Sequence, residues 1–159
     1  MSLADLLEEL EAAKDSKKAR SMEAYMRHQF SFLGIAVPGR NKLYKNIFQK
    51  RKKAKIIDWD FADTCWEKDP REYQYVAANY LKAMQSYLKE TDLPKLEQLV
   101  VTKSWWDTVD ILDRVVGSLV YEHSELGEII LILFENLFKP RQLYLQPQNS
   151  VLSNLRLAS

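Results

Sequence analysis

Four glycines and five prolines in 159 residues leave little turn chemistry, and this constrains the fold more than any other feature of the chain. Many short strands would need more turns than these residues can supply. Apolar positions instead recur at helical spacing, and an all-α class follows before any motif is considered. An apolar fraction of 47% against 28% charged is ordinary for a globular chain and excludes wholesale disorder.

The spacing predicts helices over about 3–13, with Leu6, Leu7 and Leu10 inward, and over about 15–30. Phe32-Leu-Gly-Ile-Ala-Val-Pro-Gly then breaks the pattern. A third helix carries Leu43, Ile47 and Phe48 as its buried stripe, and a fourth follows Asp58 as N-cap. The next has a capping Asp69, Pro70 at the first helical position and Glu72 in the first turn, where an acid suits the macrodipole. Its stripe runs Tyr73, Val76, Ala77, Tyr80, Leu81, Met84 and Leu88. Further helices cover about 92–101, 104–122 and 124–138. Paired helices joined by short loops are the rhythm of an α-solenoid, although no clean repeat of about 40 residues is visible. Residues 139–159 carry Pro140 and Pro147 and no helical stripe, so they read as an irregular tail.

A net charge of +1 conceals a segregation. No Asp or Glu lies between Glu23 and Asp58, while that gap holds Arg27, Arg40, Lys42, Lys45, Lys50, Arg51, Lys52, Lys53 and Lys55. Such a lobe is either the footprint of a polyanion partner or a solvated, Lys-rich helix end. The single cysteine, Cys65, excludes an intrachain disulfide and reads as core. The N-terminus carries acids where a signal peptide needs base, and the longest apolar run, 129–134, is too short to span a bilayer. A soluble, cytoplasmic protein without membrane contact is expected. His28 and His123 lack ligand-spaced partners, so no metal and no cofactor are expected.

Thr102-Lys-Ser-Trp-Trp-Asp-Thr-Val-Asp carries the chemistry. Ser104 with Asp107 three residues on reads as a capping box that starts the helix. Trp105, Val109, Leu112, Val116 and Leu119 form one stripe, the expected core side. Trp106, Asp110, Asp113 and Gly117 fall within about 60° on another side, at about 100° per residue. Trp106 either packs under a neighbouring loop or serves a ligand beside Asp110. Asp113 and Arg114 are expected in solvent. Gly117 costs about 1 kcal/mol relative to Ala, which implies close approach of something to that face.

Tyr25-Met-Arg-His-Gln-Phe, Phe32-Leu-Gly-Ile, Arg71-Glu-Tyr-Gln-Tyr and the Thr-Lys-Ser-Trp-Trp-Asp segment, in that order over residues 1–138, resemble the AlkD-like DNA alkylation-repair glycosylases. The resemblance implies HEAT-like antiparallel helix pairs whose concave basic face holds duplex DNA. It also implies hydrolysis of the N-glycosidic bond of cationic alkylated purines, such as 3-methyladenine and 7-methylguanine. Trp106 and Asp110 match the family's catalytic Trp and Asp, and Tyr25 matches an aromatic of the same cleft. Lys103, Arg40, Lys42 and Lys45 are the expected contacts to DNA.

The family also carries an Asn-x-Trp-x-x-Arg pattern, echoed by Asn136-Leu-Phe-Lys-Pro-Arg141, which makes Arg141 the third catalytic candidate. Phe138 replaces the Trp there, and Pro140 inside a helix costs about 3 kcal/mol. The chain therefore reads as a HEAT-like domain over 1–138, truncated or divergent beyond it. Missing repeats would expose apolar residues such as Ile130 or Leu133 and favour self-association of a chain that is otherwise a monomer. The alternative is a catalytically impaired fragment that binds nucleic acid or scaffolds proteins.

Overall fold

The computed structural model describes residues 2–128 and 130–131. They form seven α-helices and no strand, so the all-α expectation holds among the described residues. The chain divides into two compact units, one ending at Met84 and one beginning at Gln85.

The first unit opens with α1 (Leu3–Ala12), closed at its start by a reciprocal box: Ser2 Oγ accepts from Asp5 N–H, and the Asp5 carboxylate accepts from Ser2 N–H. Leu6 and Leu10 are its buried face, each contributing about 1.5–3 kcal/mol. Asp15 caps α2 (Ser16–Tyr25) by accepting from the N–H groups of Lys17 and Lys18. This helix stops at Tyr25, short of the expected Phe30. Arg27 and His28 adopt φ of 54° and 57°, and their N–H groups bond back to Ala24 and Glu23 carbonyls. Arg71 holds the segment beyond, through its guanidinium over the Phe30 ring and its N–H to Ser31 O.

The third helix, α3 (Val37–Lys52), buries Arg40, Tyr44, Ile47 and Phe48. Tyr44 thus takes the place expected for Leu43, and its ring stacks on Phe48 at 4.4 Å. Asp58 caps α4 (Trp59–Glu67) through Phe61 N–H at 2.9 Å, as its sequence suggests.

The fifth helix, α5 (Arg71–Ala83), starts one residue later than expected, because Pro70 is still extended at ψ 132° and Asp69 makes no cap. Arg71 N–H, an orphan of the first turn, is instead donated to Ser31 O at 2.8 Å. Phe61 lies edge-on to Tyr80, and Gln74 Nε2 donates to Trp66 O, so α4 and α5 run antiparallel. Arg40 over Tyr75 and Phe48 against Tyr80 place α3 alongside α5 in the same direction. An antiparallel pair flanked by a parallel neighbour is the unit that an α-solenoid repeats.

Glu72 joins α5 to the α2–α3 connection. Its fully buried carboxylate accepts from Leu33 N–H (2.9 Å), Gly34 N–H (2.8 Å) and Ile35 N–H (3.1 Å). Gly34 has φ 91°, and a Cβ there would stand 2.1 Å from Asp15 O. The chain needs glycine at this point.

In the second unit, two single 3₁₀ turns lead into α6 (Leu93–Val101), which packs on α7 (Trp106–Glu122). A further 3₁₀ turn, Ser124–Leu126, begins the expected last helix, most of which lies outside the described residues. Ile130 is fully buried, contrary to its expected exposure, and Leu133 lies outside the described residues. No helix among the described residues is long and apolar enough to cross a membrane.

Candidate active site

The helix that carries Trp106 and Asp110 is set by the turn before it. Thr102 closes α6, its N–H and hydroxyl both bonded to Gln98 O. Lys103 then turns at φ 51°, and Trp105 is extended, so α7 begins at Trp106 rather than at Ser104. The expected Ser104–Asp107 box is not made. Asp107 Oδ1 accepts from Thr108 N–H at 2.8 Å, and Thr108 Oγ1 donates to Trp105 O.

The start at Trp106 puts this indole in the first turn, with 38% of its surface exposed. Asp110 follows one turn later and is also exposed, so the two occupy neighbouring positions on one helix face. Partial burial holds the Asp110 carboxyl above its ordinary value; Arg114 opposes this, and the charge of Asp107 adds to it. An exposed indole beside a partly desolvated carboxylate can offer a π-face and a negative charge to one cation.

The rest of α7 departs from expectation in three places. Val109, Leu112, Val116 and Leu119 are buried as the stripe requires, but Trp105 is only half-buried, because it precedes the helix and is extended. Asp113 is buried rather than solvated, whereas Arg114 is exposed. Apart from the helix's own backbone, no described atom lies within 4 Å of a Cβ built on Gly117, so no other part of the described chain makes the expected close approach.

The remaining candidates divide between the units. Lys103 is half-buried in the turn before α7. Arg141 lies outside the described residues. In the first unit, Tyr25 ends α2 with 74% of its surface exposed. Arg40 does not reach outward: it is buried, its guanidinium 4.1 Å from the centre of the Tyr75 ring. Stacking between α3 and α5 occupies the group that the sequence assigns to a phosphate. Lys42 and Lys45 are exposed.

Lys45 borders a groove of about 490 Å³ between α3 and α5, together with Lys52 and Lys82 across from it. Lys82 and Asn79 of this groove escape sequence reading, since they sit in a segment whose overall balance is acidic. Among the described residues, no group of three or more His, Cys, Asp and Glu is placed to hold a metal ion.

The model of the DNA alkylation repair enzyme family matches residues 6–146, a range that takes in the Asn136–Arg141 segment. Among solved structures, a predicted DNA alkylation repair enzyme from Enterococcus faecalis is 28% identical, with a TM-score of 0.70. That match covers 91% of this chain and 72% of the other. No curated protein matches the chain. A helical succession that superposes on a repair-enzyme fold, and a family model spanning most of the sequence, lead to one assignment: the chain belongs to the DNA alkylation repair enzyme family.

Proposed function

We propose that the chain is a DNA glycosylase that hydrolyses the N-glycosidic bond of cationic alkylated purines, 3-methyladenine and 7-methylguanine among them, in duplex DNA. Family membership gives the coarser statement, a DNA repair enzyme with DNA as its partner. The finer reading is carried by one observation, Trp106 and Asp110 exposed on one face of α7 with the carboxyl partly desolvated.

The chemistry suits such a pair. An alkylated purine already bears positive charge, so it leaves without a general acid to protonate it. Charge then develops on the sugar, which becomes oxocarbenium-like, and a carboxylate beside it lowers the barrier. Partial desolvation strengthens that interaction relative to bulk water. Ionised Asp110 also orients the attacking water, and the Trp106 ring packs on the cationic nucleotide. Lys42, Lys45 and Lys103 contact phosphates, and Arg141 is the third candidate at the reacting nucleotide.

Base release from methylated duplex DNA, resolved by chromatography, tests the reading. Asp110→Asn is expected to lower the rate by about 10²–10³-fold, the size of a preorganised electrostatic contribution. Trp106→Ala is expected to cost about tenfold. Wild-type rates in Asp110→Asn would remove the mechanism, and DNA binding without any base release would leave a binding module.

A further inference from the structure

The turn that ends α2 is closed in a way that usually requires glycine. Its two back-bonds, Arg27 N–H to Ala24 O and His28 N–H to Glu23 O, place the residue after the C-cap in the left-handed region. Arg27 occupies that position, and His28 repeats the left-handed conformation immediately after it. L-residues resist this geometry, and glycine would adopt it freely.

The surroundings hold the turn in place. Met26 is buried, and Phe30 lies under the Arg71 guanidinium at 3.7 Å. Ser31 O accepts from Arg71 N–H, and Phe32 N–H is donated to the Glu23 carboxylate. The Arg27 and His28 side chains, by contrast, are exposed and make no hydrogen bond or ion pair among the described residues.

Favourable placement of a cation at a helix C-terminus does not account for this. The last turn of α2 holds no basic residue, although a cation there would need no positive φ. Among the described residues, the other non-glycine positions at positive φ, Lys55 and Lys103, are also basic. Strain retained under exposed, unengaged side chains points to use of those side chains.

We infer that the Arg27–His28 turn is a preformed grip for the phosphodiester backbone of DNA. The guanidinium and an imidazole N–H donate to phosphate oxygens beside the exposed ring of Tyr25. This rests on the DNA-directed reading above and adds two contacts that it does not include. Arg suits the role because its fork of donors matches a phosphate, and the Glu23 carboxylate at the same turn accepts Phe32 N–H rather than the guanidinium.

Glycine substitution separates use from structure, because glycine relieves the backbone while deleting the side chain. Arg27→Gly, His28→Gly and the double variant are compared with wild type by thermal melting and by fluorescence anisotropy on an undamaged duplex at several salt concentrations. Each variant is expected to melt at or above the wild-type temperature. The double variant is expected to bind about tenfold more weakly. For Arg27→Gly the slope of log affinity against log salt is expected to flatten by about 0.9, one phosphate contact. Arg27→Lys is expected to keep most of that slope. Glycine variants with wild-type affinity and slope would overturn the grip alone, and so would a lower melting temperature. A wild-type chain that binds no duplex would overturn the DNA-directed reading and this inference with it.

Discussion

Replacing Glu72 tests what holds the α2–α3 connection. Its carboxylate is fully buried and accepts three backbone N–H groups, at 2.9, 2.8 and 3.1 Å. Hydrogen bonds to a charged group contribute about 1.5–3 kcal/mol each, and a buried donor left unpaired costs about 1–3 kcal/mol. Glu72→Gln keeps shape and one acceptor. Its amide oxygen can stay on Gly34 and Ile35, but its NH₂ then meets Leu33 N–H donor to donor. The lost bond and the weakening of the other two together cost about 3–4 kcal/mol. Glu72→Ala leaves three donors unpaired beside a cavity and costs about 5 kcal/mol or more, comparable with the whole stability of many domains.

Urea unfolding followed by far-ultraviolet circular dichroism reads this directly. With a slope of about 2 kcal/mol/M, Glu72→Gln should lower the midpoint by about 1.5–2 M at unchanged slope. Exposed Glu8→Gln is the control, expected within about 0.5 kcal/mol of wild type. A Glu72→Gln midpoint indistinguishable from that control would refute the reasoning, since it would mean that the three bonds contribute no net stability.

Gly34→Ala should destabilise by more than about 1 kcal/mol, because φ is 91° and the new Cβ meets backbone rather than a mobile side chain; an unchanged melting temperature would contradict this. Asp110 makes two linked predictions. Its carboxyl is raised by burial, so base release that needs the ionised form should fail, as pH drops, at a higher pH than an ordinary carboxylate gives. A raised folded-state value contributes stability that is complete below the unfolded value and lost as pH rises through the folded one, so Asp110→Asn should not melt lower at neutral pH. An acid limb at the ordinary carboxylate value, or a lower melting temperature for the variant, would count against this. Burial pushes the Cys65 thiol up to about 12, so a thiol reagent at pH 8 should label it only once the chain unfolds. Rapid labelling of the native protein would show the thiol to be accessible.

Local features of the fold were legible because their causes are local. Asp58 caps the helix that follows it, and the stripe read from Tyr73 to Leu88 is buried throughout, as are Leu6 and Leu10 of α1, although Leu7 is only half-buried. Features that depend on distant partners were not legible. The start of α5 is satisfied by Ser31 O, a residue from before α3, and nothing near Pro70 encodes that. Glu72 reads locally as an acid at a helix start, and only the folded loop makes it an acceptor for Leu33, Gly34 and Ile35. Arg40 sits among lysines in an acid-free stretch and reads as solvent-facing, yet Tyr75 from another helix covers it. At the candidate site, the Trp106–Asp110 spacing was fixed by helical geometry and so could be read. The burial of Asp113 depends on packing that no periodicity states.

The packing around α5 has a kinetic consequence. Tyr73 Oη donates to Glu11 of α1, Arg71 and Glu72 hold the α2–α3 connection, Tyr75 and Tyr80 meet α3, and Tyr80 Oη accepts from Asp58 N–H at the head of α4. The helices α3 and α4 therefore lose a main anchor when α5 opens, and α1, which packs chiefly on α3, loses its Tyr73 bond, while α5 can keep most of its contacts when one neighbour frays. In native-state hydrogen exchange, the amides of α5 should be the slowest in this unit and should exchange only through its global unfolding. Those of α1 and of the Arg27–His28 turn should exchange sooner, through smaller openings.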